Sequence, residues 1–323
     1  MSTISFIQAT NPSPALPLSI PLSDIDSIYN PFFICNYVIY RNQSPNRDVF
    51  LNSDGLKNSL SKVLNSFPEL CGTIVPWHER DGKLRMLLNN RGVKWIEYAN
   101  TSYSIDQFIG TNFDQQKQPK EMLINMFTET ENFSTPLVIK YVRTKDQSVI
   151  VVLGINHAVS DAYSMFHLFV PAWSRVHSGA AIPNRMLTDR SKLIGSPIGP
   201  KLSFGWHDST SHLFETGIFV ARHGEEPPKG STLADRSMST FEVIMNIREL
   251  LQLGPDYYGD AIASPFATAK QSDLLSDLGL AHAARSIDSA IRSVTVDNVR
   301  QWLNWFYDKK EGQFRRPFAV GGR

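Results

Sequence analysis

The chain has 323 residues, 42% apolar and 20% charged, with 32 basic against 31 acidic side chains and a formal net charge of +1. Such a balance describes a soluble globular protein of one large domain or two. It offers no electrostatic ground for binding nucleic acid or an anionic membrane surface.

Cys35 and Cys71 are too few for a disulfide framework or a metal cluster and read as buried thiols in a reducing, cytoplasmic compartment. The N-terminus lacks a signal-peptide layout, with Pro12, Pro14, Pro17 and Pro21 breaking any early helix. No apolar run is long enough to span a bilayer.

In chain order, Ile4 to Ala9 reads as a strand, Asp24 to Tyr29 as a short helical turn and Phe32 to Tyr40 as an aromatic strand. Leu56, Leu60, Val63, Leu64 and Phe67 keep a helical period behind the caps Ser53 and Asp54, and Pro68 ends that helix. Thr73 to Val75 and Leu84 to Leu88 bracket Asp81-Gly82, a hairpin signal. A strand over Val93 to Glu97 and a helix over Ile105 to Phe113 follow. Leu137 to Val142 and Val149 to Ile155 form a second predicted hairpin about Lys145-Asp146.

Met165, Phe166, Phe169, Trp173 and Val176 then mark a helix that Pro171 should kink or break. From Ile182 to Pro200 the composition turns to Pro, Gly, Ser and charge, as in a surface linker. Thr240 to Ile247 reads as a strand, and Leu274 to Ile291 and Val296 to Tyr307 as amphipathic helices, the second capped by Thr295. Arg315 to Arg323 reads as a solvated tail. The expected class is α/β with mixed sheets, divided into residues 1–182, a crossover over 183–236, and a shortened C-terminal domain over 237–323.

Chemistry concentrates at the end of the second hairpin. The run Val149 to Ile155 is β-branched and uninterrupted, which suits a strand buried on both faces. It ends on Asn156-His157, and Asp161 completes H-x-x-x-D. A metal pair would need a third ligand, and none stands at a recognisable spacing. A Ser-His-Asp unit with Ser160 fails sterically, and no G-x-S-x-G elbow occurs elsewhere. A lone imidazole base with a structural aspartate fits. The plain alternative is that Asn156 and His157 close a strand while Asp161 caps the next helix. His167 and His177, beside the aromatic face after the motif, read as helix-surface or core residues, and His78, His207, His212, His223 and His282 have no partners at useful spacing.

N-H-A-V-S-D-A (156–162) on a buried strand, P-L-S-D-I-D (21–26), F-P-E-L-C-G-T-I-V (67–75), D-G-K-L-R (81–85), N-N-R-G-V (89–93), N-I-R (246–248) and P-D-Y-Y-G-D-A-I (255–262) occur in that pattern together. The set resembles the BAHD family of acyl-CoA-dependent acyltransferases. The resemblance implies a two-domain, chloramphenicol-acetyltransferase-like fold with a channel between the domains. There His157 is the catalytic residue, a general base that deprotonates a hydroxyl or amine attacking the acyl-CoA thioester. It also implies that Asp161 is structural and pairs with an arginine, by position Arg248.

Acyl-CoA is then a co-substrate, with no permanently bound cofactor and no metal. The partner is a small alcohol or amine, of the kind found in specialised metabolism, and the protein is a monomer. Three departures stand out. The family's D-F-G-W-G motif is missing near the C-terminus, with S-F-G-W (203–206) in the crossover taken as coincidence. Ala162 replaces a glycine, and Asp260 replaces the asparagine of Y-F-G-N. The missing motif leaves a second expectation open: a catalytically impaired binding protein, or the product of a truncated gene model. A hydrolase using the same base on water is a third.

Overall fold

The computed structural model describes residues 2–13, 17–29, 33–43, 51–79, 83–99, 101–112, 117–122, 134–186, 188–200 and 238–307. The Asp81-Gly82 turn, the S-F-G-W stretch and the tail after Arg315 lie outside them. The chain forms two compact units: residues 1–191 with Asp256–Asp260, and residues 192–255 with 261–323.

The first unit is built on strands β1 (Ser2–Ile7), β3 (Phe33–Tyr40), β6 (Val93–Tyr98), β7 (Leu137–Arg143) and β8 (Val149–Asn156). They make a five-stranded sheet in the order β1-β6-β7-β8-β3 among the described residues. Pairing is antiparallel except between β6 and β7, which run parallel, so the sheet is mixed, as expected. A smaller antiparallel sheet joins β2 (Ser19–Pro21), β4 (Thr73–Pro76) and β5 (Leu84–Leu87) in the order β2-β5-β4.

Every residue of β8 is buried. Side chains alternate across a strand. Val149, Val151, Leu153 and Ile155 enter the main core, while Ile150 and Val152 enter a second cluster with Met122, Val138, and Ile105 and Phe108 of helix α3 (Ile105–Ile109). Both faces are therefore covered, which accounts for a strand with no polar alternation.

The main core packs against helices α2 (Ser53–Val63) and α4 (Val170–His177). Trp173 seals this contact, its indole N–H donating to Ser59 Oγ at 3.0 Å. Asn52, rather than Ser53 or Asp54, caps α2: its Oδ1 accepts from the Gly55 N–H at 2.6 Å. Ser53 is occupied elsewhere, donating to Glu97 Oε2 at 2.5 Å.

Pro171 does not break the following helix. A π-helical turn, Ser164–Phe169, leads into α4, and the Val170 N–H bonds to the Met165 carbonyl one residue further back than usual. The widened turn absorbs the ring that an ordinary helix would not accommodate. Of the two cysteines, Cys71 is buried and Cys35 only partly so, a correction to the reading of both as core thiols. Burial pushes the Cys71 thiol up to about 12, which removes it as a nucleophile.

In the second unit β9 (Met238–Glu242) pairs with β12 (Phe266–Lys270), and β10 (Met245–Asn246) with β11 (Ile262–Ala263). The strand expected over Thr240 to Ile247 is thus divided between two partners. The predicted helix over Leu274 to Ile291 divides into α5 (Gln271–Leu274) and α6 (Gly279–Arg292), and α7 spans Val296–Tyr307. The Asn298 N–H donates to the Thr295 hydroxyl at 3.2 Å, the cap read from the sequence. Among the described residues no helix is long and apolar enough to cross a membrane.

Candidate active site

The end of β8 is fixed before any long-range contact is made. The Asn156 N–H donates to the Pro136 carbonyl at 2.8 Å, continuing the ladder for one residue. Its side-chain Oδ1 then accepts from the Ala158 N–H at 3.0 Å, and its carbonyl accepts from the Val159 N–H at 3.0 Å. This Asx turn reverses the chain within N-H-A-V and places His157 at the turn, 8% exposed.

Asp161 closes the same loop from the other side. Its Oδ1 accepts from the Ser164 N–H at 2.8 Å, satisfying one of the donors left open where the helix begins. Asp161→Ala is expected to lower stability by about 0.5–2 kcal/mol, the usual loss on removing a capping side chain, as read by chemical denaturation.

Against His157 the fold sets a carboxylate 103 residues away in sequence. His157 Nδ1 lies 2.8 Å from Asp260 Oδ2, and Asp260 is fully buried. Burial pushes the Asp260 carboxyl up to about 7; Asp26 and Asp161 push the same way against the lowering pull of His157. For the imidazole, burial acts downward, but the charge and hydrogen bond of Asp260 prevail and hold its pKa above the ordinary value. Asp260 Oδ1 has no hydrogen-bond partner among the described residues.

Three tethers hold Asp260. Its own N–H donates to Asp26 Oδ1 at 3.2 Å. The Ser164 hydroxyl and Gly259 exchange hydrogen bonds, the hydroxyl donating to the Gly259 carbonyl at 3.0 Å and sitting 3.1 Å from the Gly259 N–H. Tyr258, two residues before Asp260 and buried in the main core, packs edge-on against Phe67 with ring centroids 5.1 Å apart.

Gly259 is needed for its backbone, since φ is +148° and a Cβ there would stand 3.0 Å from Arg190 Nη2 and from the Tyr257 hydroxyl. Gly259→Ala is expected to destabilise the protein by about 1–3 kcal/mol and to lower activity with it, as measured by denaturant titration beside an activity assay.

Behind Asp260 lies a second buried charge pair. Asp26 is held in α1 (Asp24–Tyr29) by a reciprocal exchange: the Ser23 N–H donates to Asp26 Oδ2 at 2.7 Å, and the Asp26 N–H donates to Ser23 Oγ at 3.0 Å. Arg190 Nε donates to the same Oδ2 at 2.7 Å, with both side chains fully buried. Arg190 also donates from Nη1 to the Thr188 carbonyl at 3.2 Å.

The structure therefore brings His157 and Asp161 into one turn. To them it adds Asp260, Asp26 and Arg190, none of which the sequence reading assigned to the site. Two hints were available: P-L-S-D-I-D carries an unexplained second aspartate, and Asp260 stands where the resembling family has an amide. Arg248 lies in the second compact unit, 3% exposed, its guanidinium 3.1 Å from Asn246 Oδ1. Among the described residues no group of three or more His, Cys, Asp or Glu side chains could hold a metal ion.

No curated protein matches the chain by sequence. Solved structures match it in fold. The crystal structure of vinorine synthase superposes with a TM-score of 0.59 at 16% identity, covering 90% of this chain and 75% of that one. F. sporotrichioides TRI101, complexed with coenzyme A and T-2, gives 0.65 at 12% identity, covering 92% and 79%. F. graminearum TRI101 with coenzyme A and deoxynivalenol gives 0.62 at 9% identity, covering 91% and 79%. The fold is thus the mixed α/β one of the BAHD and chloramphenicol-acetyltransferase-like acyltransferases. A model of the Transferase family matches residues 2–217. With two thirds of the sequence inside that match and the H-x-x-x-D turn within it, the chain belongs to the Transferase family, the BAHD-type acyltransferases.

Proposed function

We propose that the protein transfers an acyl group from acyl-CoA to the hydroxyl or amine of a small, specialised-metabolite acceptor, with His157 as general base. The observation that carries this reading is the His157 Nδ1–Asp260 contact of 2.8 Å at the end of a fully buried strand. With Nδ1 given to Asp260, Nε2 is the nitrogen assigned to the substrate. It takes the proton from the acceptor O–H or N–H while that atom attacks the thioester carbonyl carbon. The tetrahedral intermediate then expels the CoA sulfur, and the proton on Nε2 passes to the departing thiolate. No enzyme nucleophile is required, in keeping with the buried, unreactive Cys71.

Asp161 and Arg248 complete the proposal as structural support. Asp161 shapes the turn through its bond to Ser164, and the family resemblance supports its pairing with Arg248. Donor and acceptor classes find further support in TRI101, which was crystallised with coenzyme A together with T-2 or deoxynivalenol.

The test is to incubate the full chain with a set of acyl-CoA donors and a panel of alcohols and amines, following free CoA and acylated product together. Acceptor-dependent release of CoA with matching product is expected. Release without acceptor would make the protein a thioester hydrolase, and acyl-CoA binding without turnover across the panel would make it a binding protein.

A further inference from the structure

We infer that Asp260 is the positioning residue of this site: its carboxylate fixes His157 as the Nδ1–H tautomer, and the buried Asp26–Arg190 pair fixes the backbone that carries it. The inference rests on the reading of His157 as base and adds a residue that H-x-x-x-D does not contain.

A neutral imidazole has two tautomers, and only the one with a bare Nε2 can accept the acceptor's proton. The Asp260 oxygen 2.8 Å from Nδ1 selects that tautomer, because a carboxylate can only accept there. A carboxylate without solvent is costly unless hydrogen-bonded. Asp260 is fully buried, so its cheapest state is the one in which the imidazole N–H points at it.

The position of that oxygen is set from behind. The Asp260 N–H is held by Asp26 Oδ1 at 3.2 Å, Asp26 is held by Arg190 at 2.7 Å, and Ser164 grips the preceding Gly259 on both backbone polar groups. Carboxylate, glycine turn and ion pair form one connected network, and each link is buried.

Proton counting gives the pH behaviour. The pair works as a base when it holds one proton, on the Nδ1–Oδ2 hydrogen bond. A second proton, on Nε2, blocks it. During transfer Nε2 gains the acceptor's proton, Nδ1 keeps its own, and Asp260 stays an anion facing an imidazolium. The other charged groups acting on the pair are Asp26, itself paired with Arg190, and Asp161; Tyr258, raised by burial, stays neutral.

The experiment compares wild type, Asp260→Asn and His157→Ala in acceptor-dependent CoA release over a pH series, with circular dichroism and CoA binding as checks of folding. Asp260→Asn is expected to lose about 10²- to 10⁴-fold in kcat with little change in KM. Its acid limb should move to lower pH, because burial without the carboxylate depresses the imidazole pKa. A merely structural aspartate would not move that limb.

A folded Asp260→Asn with wild-type kcat and an unmoved limb overturns the inference, provided His157→Ala is inactive; an active His157→Ala overturns the base reading itself. A second measurement needs no folded Asp260 variant. In ¹⁵N-histidine spectra of the wild-type chain, with His157 assigned by its loss in His157→Gln, the Nδ1–H tautomer is expected above the acid limb. The Nε2–H tautomer there would contradict the inference.

Discussion

His157→Ala is expected to lower acceptor-dependent CoA release by about two to four orders of magnitude, the usual worth of a positioned general base. The loss should fall on kcat and leave KM nearly unchanged, because the base gains its interaction only as the acceptor's proton begins to move. The variant should still fold. Removing the imidazole leaves Asp260 buried without its partner, yet a carboxyl already raised to about 7 by burial can take up a proton and enter the variant uncharged. CoA binding measured by calorimetry beside the rate assay separates the two effects. A variant that binds CoA and turns over at the wild-type rate would remove His157 from the mechanism.

Arg190→Met is expected to destabilise the first unit strongly, by about 3–5 kcal/mol. Arg190 and Asp26 are both fully buried and 2.7 Å apart. Methionine leaves Asp26 Oδ2 with the Ser23 N–H and without a compensating charge. A buried anion cannot recover its hydration, so the loss exceeds anything seen for exposed ion pairs.

For a unit of this size the expected fall in Tm is on the order of 10 °C. The double variant Asp26→Asn with Arg190→Met should recover part of it, since neither charge is then stranded. A single variant within about 1 kcal/mol of wild type would show that water reaches the pair.

Much of the fold was legible because it follows local periodicity. The uninterrupted Val149 to Ile155 run, the α2 pattern and the hairpin of β7 with β8 each announce themselves within a dozen residues, and His157 was found because it ends such a run. Asp161 follows in the same turn, and its bond to the Ser164 N–H is the helix cap that the sequence offered only as the plain alternative to a pairing with Arg248. What could not be read were choices made by distant partners. Asn52 takes the cap of α2 because Glu97 claims Ser53. The parallel pairing of β6 with β7 has no local signature. Arg190 lies in a stretch whose Pro, Gly and Ser content reads as connector, and only its contact with Asp26 gives it a role. Asp260 was seen only as an acid in place of an amide, because its partner is far off in sequence.

The return of Asp256–Asp260 to the first unit has a consequence for the order of events during synthesis. By the time Ser191 leaves the ribosome, every strand of the large sheet has been made, and the histidine with it. Its carboxylate has not, and arrives only after some seventy further residues, at a translation rate that leaves seconds between the two. The nascent chain can therefore collapse early around its sheet while the proposed base still lacks its carboxylate partner. The contact of 2.8 Å between His157 and Asp260 is completed late, with the packing of Tyr258 beside Phe67.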